Sequence, residues 1–192
     1  MADVLNLVTL SGSLRTASFN TSLLRALPEL APPTLRFTLH TVAGIPVYNG
    51  DDEDAHGLPA AVVALRTAIR QSDGLIIATP EYNNGVPGPL KNALDWCSRP
   101  PAPHGLEAVP TAILGASDGV VGTARSQHAL RQTLVALNAP TFMIPQVLVG
   151  RAQDKIDTGG KLIDASTRDF IRGWLLEVER WMRRFPRSER TT

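Results

Sequence analysis

The sequence predicts an α/β fold, a five-stranded parallel sheet with helices on both faces, and three observations carry that reading. Five apolar runs of strand length recur along the 192 residues. Between them lie segments in which apolar residues return at helical spacing. The runs are continuous rather than alternating, as in strands covered on both sides, and strand-helix-strand order within one sheet gives parallel pairing.

The first run covers residues 4–10, and after a polar loop a helix over 19–30 keeps Leu23, Leu24 and Leu27 on one side. The second run is 35–39. Leu58, Val62, Leu65 and Ile69, at i, i+4, i+7 and i+11, predict a helix over 58–70 before the third run at 74–78. A proline-containing loop then enters a helix that carries Trp96 and Cys97. The segment 99–104, Arg-Pro-Pro-Ala-Pro-His, is a loop before the fourth run at 109–114. A helix over 124–137, a fifth run at 141–144 and a last helix over 167–185 complete the pattern. Trp174 and Trp181, seven apart on that helix, are placed for packing. Five strands with intervening helices in a chain this short match the flavodoxin-like sandwich with strand order 2-1-3-4-5 better than a longer dinucleotide fold or an eight-fold barrel.

One domain spanning residues 1–192 is expected, because a chain of this length buries enough surface for one core. The 19 basic and 18 acidic residues leave a net charge of +1, which argues against nucleic-acid binding by phosphate neutralisation. The imbalance is local: residues 168–192 hold seven arginines against four carboxylates, read as a solvated helix face followed by a frayed basic end at 186–192. A single cysteine, Cys97, allows neither an internal disulfide nor a cysteine zinc site, and Met1-Ala2-Asp3 does not open a secretory signal. We expect a cytoplasmic protein without membrane spans. His40, His56, His104 and His128 show no metal-ligand spacing, so no metal is assigned. The run Asp51-Asp52-Glu53-Asp54 is read as a solvated loop, and Cys97 as a buried, inert thiol. Asn20-Thr21-Ser22 fits a glycosylation acceptor, a match without meaning in a chain that is not secreted.

In an open α/β sheet, ligands sit beyond the C-terminal ends of the strands where strand order reverses, here between strands one and three. The loop after strand one, Ser11 to Asn20, sets four serine and threonine hydroxyls, Ser11 among them, an Asn and Arg15 directly before a helix. The first turn of that helix has unpaired N–H groups and a positive dipole end, so a phosphate would find neutral donors and one guanidinium. Ser18 as a plain N-cap explains one of these residues and not the set. There is no Gly-x-Gly-x-x-Gly and no Gly-Lys-Ser/Thr phosphate loop, which speaks against a permanently held NAD or a nucleoside triphosphate. The loop after strand three, Thr79 to Asn92, mixes Pro80, Pro87 and Pro89 with Asn83, Asn84 and Gly85, residues that tolerate left-handed backbone. It reads either as a structural turn or as a platform for a flat heteroaromatic ring beside Tyr82. Taken together, a phosphate site and a ring site on neighbouring strands suit a mononucleotide with a large ring, and FMN is the candidate.

The stretches Gly12-Ser13-Leu14-Arg15 through Ser18-Phe19-Asn20, and Thr79-Pro80-Glu81-Tyr82-Asn83 running into Pro89-Leu90-Lys91-Asn92-Ala93-Leu94-Asp95-Trp96, resemble the NADPH-dependent FMN reductase family, and within it the soluble quinone and chromate reductases. The resemblance covers about residues 4–185. It implies that Ser13, Arg15, Ser18 and Asn20 hold the FMN phosphate, that Pro80, Glu81, Tyr82 and Asn83 line the isoalloxazine, and that Ser117 lies near the ring. It also implies a homodimer or homotetramer. At Gly119-Val120-Val121-Gly122 the family pattern has a glycine where Val121 stands.

That resemblance implies ping-pong hydride transfer from NADPH or NADH, through FMN, to quinone-like, chromate or flavin acceptors, with no side-chain acid or base. Two other readings stay open on the residues. Gly115-Ala116-Ser117-Asp118-Gly119 matches the Gly-x-Ser-x-Gly of serine hydrolases, although His128 is the only later histidine and no Asp stands between it and Ser117 other than Asp118. A flavodoxin-type electron carrier is the other, and such carriers are acidic where this chain is near neutral.

Overall fold

Continuous apolar strands need cover on both faces, and the computed structural model, which describes residues 3–190, supplies it. The elements are β1 (Leu5–Ser11), α1 (Phe19–Leu30), β2 (Leu35–Thr41), α2 (Gly50–His56), α3 (Ala60–Gln71), β3 (Gly74–Ala78), α4 (Gly88–Cys97), β4 (Thr111–Ala116), α5 (Ala124–Ala136), β5 (Val147–Val149) and α6 (Ala165–Met182). The five strands form one parallel sheet in the order β2-β1-β3-β4-β5, the order the sequence predicts. Every residue of the central β3 and β4 is buried.

Because side chains alternate along a strand, the two faces hold different cores. On one face Leu7, Ile76, Ala78 and Leu114 meet Leu23 and Leu27 of α1 and Trp174, Leu175 and Val178 of α6. On the other, Val8, Leu10, Leu75, Ile77 and Ile113 meet Leu65 and Ile69 of α3, Leu90 and Leu94 of α4, and Leu130 and Leu134 of α5. Fully burying one such aliphatic side chain contributes about 1.5–3 kcal/mol, so losing either layer would strip the sheet of its cover.

Three expectations are corrected. The fifth strand is Val147–Val149, paired with Leu114–Ala116, and not 141–144. Of that run Thr141 makes a single bridge to Thr111 and Phe142 packs edge-on to Trp174, while Met143 and Ile144 stand exposed between Pro140 and Pro145. The acidic run at 51–54 lies in α2 and is not a loop. The Asn49 side chain accepts the Asp51 N–H, and Asp51, Asp52 and Glu53 occupy a first turn whose positive end favours carboxylates. The basic end expected to fray is held as far as Arg190: its guanidinium donates to the carbonyls of Ser72, Asp73 and Phe185, and Arg187 donates to that of Gln71. Arginine forks match the unpaired carbonyls where α3 ends and β3 begins. No helix among the described residues is long and apolar enough to cross a membrane.

Candidate FMN site

The loops after β1, β3 and β4 meet beyond the C-terminal ends of the strands. Gly12 begins the first by donating its N–H to the Ala78 carbonyl at 2.9 Å. A Cβ there would stand 2.8 Å from a Leu90 methyl, so only glycine lets this loop cross so close to α4. The Ser13 oxygen accepts the Arg15 N–H at 3.2 Å and the Ser18 oxygen caps α1 by accepting the Thr21 N–H at 3.3 Å. Each hydroxyl keeps its proton to donate. The Arg15 side chain is exposed and makes no ion pair or hydrogen bond among the described residues. Asn20 differs: its amide donates to the Ala116 carbonyl and accepts the Ala116 N–H, both at 2.9 Å, and so ties the start of α1 to the end of β4.

In the second loop Tyr82 and Gly85 exchange backbone hydrogen bonds of 3.3 and 3.0 Å around Asn83 and Asn84, both left-handed at φ 50° and 64°. This tight turn leaves the N–H groups of Asn83 and Asn84 for a ligand and exposes nearly half of the Tyr82 side chain. The Glu81 carboxylate turns away, toward the N-terminus of α5, where it accepts the N–H groups of Arg125 and Ser126 at 2.9 and 3.0 Å and pairs with the Arg125 guanidinium at 3.2 Å. Thr79 fastens the same loop by a 2.8 Å contact with the Ser126 hydroxyl.

The third loop folds on Ser117. Its hydroxyl donates to the Gly122 carbonyl at 2.7 Å, and its N–H to the Val149 carbonyl. Gly122 takes the left-handed conformation, φ 62°, so the turn falls there and Val121 points to solvent. The hydrolase reading fails on this geometry. His128 is exposed on α5 beside Gln132, 3.3 Å away, and not on Ser117, and α5 starts only at Ala124, so the tight strand-to-helix turn of a nucleophile elbow is absent.

The three loops meet around a narrow cleft of about 70 Å3. Ser13, Arg15, Ser18, Asn20, Pro80, Glu81, Tyr82 and Ser117 line it, which brings together eight of the nine residues expected from the sequence. Asn83 stands outside the wall, as the first residue of the left-handed turn. Phe19 and Asp118 also line it. The signal for Phe19 was its place just after the cap Ser18; Asp118 carried none beyond adjacency to Ser117. The donor set fits a phosphate monoester: two hydroxyls with free protons, an unpaired guanidinium and a helix N-terminus. Pro80 and Tyr82 supply apolar surface for a ring.

Residues 5–154 match the family described as NADPH-dependent FMN reductase. The chain belongs to this family. It is 44% identical over 184 residues to an NAD(P)H-dependent FMN reductase of Pseudomonas aeruginosa, covering 96% of this chain and 98% of that one. It is 44% identical over 186 residues to a quinone reductase of Escherichia coli K12, again covering 96% and 98%. Among solved structures, the flavoenzyme NAD(P)H:acceptor oxidoreductase FerB of Paracoccus denitrificans superposes with a TM-score of 0.86 at 32% identity, covering 95% of this chain and all of that one. As a member of the family this chain is an oxidoreductase that uses FMN and reduced nicotinamide, which removes the electron-carrier reading.

Around the site of this FMN reductase the supporting chemistry is local. Tyr48 packs edge-on to Trp96 with ring centroids 4.9 Å apart, and its hydroxyl donates to Glu53, which also holds Arg99 at 2.7 Å. Asn92 and the Trp96 indole N–H both donate to the Pro46 carbonyl. These bonds fasten the segment before α2 onto α4, behind the ring loop.

Proposed function

We propose that this enzyme carries electrons from NADPH or NADH to quinone-like acceptors, with chromate and free flavins as further acceptors, on FMN held where the β1, β3 and β4 loops meet. The observation that carries this reading is the convergence of loops 96 residues apart in sequence, Asn20 to Ala116, on one cleft whose wall holds both a phosphate-type donor set and the surface of Pro80 and Tyr82. FMN, when bound there, supplies the relay between a two-electron donor and its acceptor.

The residues divide the work. Ser13, Ser18 and Arg15 bind the phosphate, and the first-turn N–H groups of α1 add their dipole. Asn20 and Glu81 position the cleft through their bonds to Ala116 and to the start of α5, and the second amide proton of Asn20 remains for the phosphate. Pro80 and Tyr82 flank the ring, and the turn at Asn83 and Asn84, whose N–H groups have no backbone partner, follows beside it as a source of donors for charge that develops on reduction. No side chain is needed as acid or base. Reductant and acceptor occupy the same open face beside Tyr82 in turn, which gives ping-pong kinetics. We place the reaction in the cytoplasm.

Two or four copies associate in this reading. Val120, Val121, Met143, Ile144 and Leu148 are exposed around the third loop and β5, and a second copy is the occupant that the family resemblance implies. Light scattering of the purified protein tests this; a monomer at micromolar concentration overturns it.

The deciding measurement is titration of the purified protein with FMN. Arg15→Ala should weaken binding by about 1–3 kcal/mol, the loss of a charged donor to phosphate. A protein that takes up no FMN overturns the site, and unchanged affinity in Arg15→Ala removes that residue from it. Initial-rate plots against both substrates should be parallel; intersecting lines overturn the ping-pong order.

A further inference from the structure

A second, larger cleft begins where the first ends. It has a volume of about 540 Å3 between the start of α1 and residues 153–160, with Phe19, Arg25, Ile156 and Gly160 in its wall, and Arg15 and Phe19 belong to both clefts. Its character differs from that of the ring platform. Arg25 projects from α1 into it, exposed and without an ion pair or side-chain hydrogen bond among the described residues. The carboxylate nearest on the helix, Glu29, is taken by Arg168 at 2.6 Å. Asp157 is turned into its own loop, where it accepts the Lys161 N–H at 2.8 Å. Two guanidiniums, Arg15 and Arg25, therefore face this groove against one carboxylate, Asp157, whose charge the Lys161 N–H does not neutralise, which leaves a local excess of +1. Half-buried Phe19 adds apolar surface, and Ile156, only 5% exposed, a small part of it.

We infer that this cleft is a subsite for the adenosine-phosphate half of a dinucleotide, with Arg25 on the phosphate and the base against Phe19 and Ile156. The inference rests on the phosphate site proposed above, because Arg15 and Phe19 line both clefts and a group bonded to a phosphate held at Arg15 would border this groove. Guanidinium on phosphate and a flat base on apolar surface are the contacts that such a moiety offers. Two sources share this chemistry: the adenylate of FAD, with its flavin half in the FMN site, and the adenylate of NADPH or NADH.

The test is calorimetric titration of the FMN-loaded protein with adenosine 5′-diphosphate. Binding is expected, weaker by about tenfold or more in Arg25→Glu, since a lost charged hydrogen bond amounts to that factor. Arg25 is exposed, so the variant should keep its circular dichroism and its FMN affinity. FAD affinity of the flavin-free protein falling in Arg25→Glu assigns the subsite to the flavin. A rise in KM for NADPH at constant kcat, with FAD affinity unmoved, assigns it to the nicotinamide dinucleotide. Absence of diphosphate binding to FMN-loaded protein, or equal binding by wild type and Arg25→Glu, overturns the subsite alone. Failure of FMN itself to bind overturns the phosphate site and the subsite with it.

Discussion

The Glu81 carboxylate accepts the backbone N–H of Ser126 at 3.0 Å, so the loop that carries Tyr82 is pinned to the N-terminus of α5. α5 has no cap from Thr123, the residue in the capping position, and Glu81 substitutes for it across 45 residues of sequence. A carboxylate there satisfies two orphan donors and complements the positive end of the helix. Glu81→Gln keeps one acceptor and loses the charge. We expect a loss of about 1 kcal/mol in unfolding free energy together with weaker FMN binding, both read by denaturant titration with and without FMN. A variant that loses stability but binds FMN as before would separate the cap from the ring loop.

Asn20 makes a comparable tie on the other side of the cleft. Its amide satisfies both backbone groups of Ala116, and the residue is almost fully buried. Asn20→Ala leaves a buried N–H and a buried carbonyl without partners, at about 1–3 kcal/mol for each. Asn20→Asp should also be destabilising, because a carboxylate cannot donate to the Ala116 carbonyl. Chemical denaturation of the flavin-free proteins measures both; wild-type midpoints would mean that the loop relaxes without this bond.

These two ties mark the boundary of what was legible in the sequence. β3 could be read directly, because Gly74-Leu75-Ile76-Ile77-Ala78 is a continuous apolar run between Asp73 and Pro80, and all of it is buried. The cleft loops were legible as well, since hydroxyls before a helix and prolines after a strand have local physical meanings. β5 was misplaced because Thr141 to Ile144 has the composition of a strand, while pairing with β4 falls to Val147–Val149 beyond Pro145, and composition does not report register. α2 was missed because it buries nothing and so has no apolar period; the Asn49 cap was its only signal. The ties of Asn20 to Ala116 and of Glu81 to Ser126 were not legible for the same reason: which partner a polar side chain chooses across 96 or 45 residues depends on the tertiary fold.

At the start of α6, Asp164 accepts the hydroxyl and the N–H of Thr167. These bonds hold its carboxyl below the usual carboxylate range, against a smaller opposing effect of burial. A lowered folded pKa contributes stability that is present above the unfolded value, about 3.9, and is lost as pH falls through the folded one. Asp164→Asn keeps the cap without the charge. The wild type should therefore hold its advantage over Asp164→Asn near neutral pH and lose it progressively below about pH 4. Unfolding free energies measured across that range that stay parallel would show that the charge contributes nothing to the cap.

Cys97 is fully buried at the end of α4, and burial pushes its thiol up to about 12. The nearby Arg66 opposes this only weakly. Since the thiolate is the reactive form, the native protein should be inert to a thiol-specific disulfide reagent at pH 8, and one equivalent should react after denaturation. The sign for stability follows from the same shift. A thiol that stays neutral when folded but ionises when unfolded favours unfolding as pH rises through the ordinary thiol range, about 8.5. Cys97→Ala removes that dependence, and it also leaves a cavity that costs about 1 kcal/mol, as the loss of a methyl-sized group does. The variant should thus be less stable than wild type at pH 7, with the gap narrowing by pH 10. Rapid labelling of the native protein would show that Sγ is reached by solvent and would remove both expectations together.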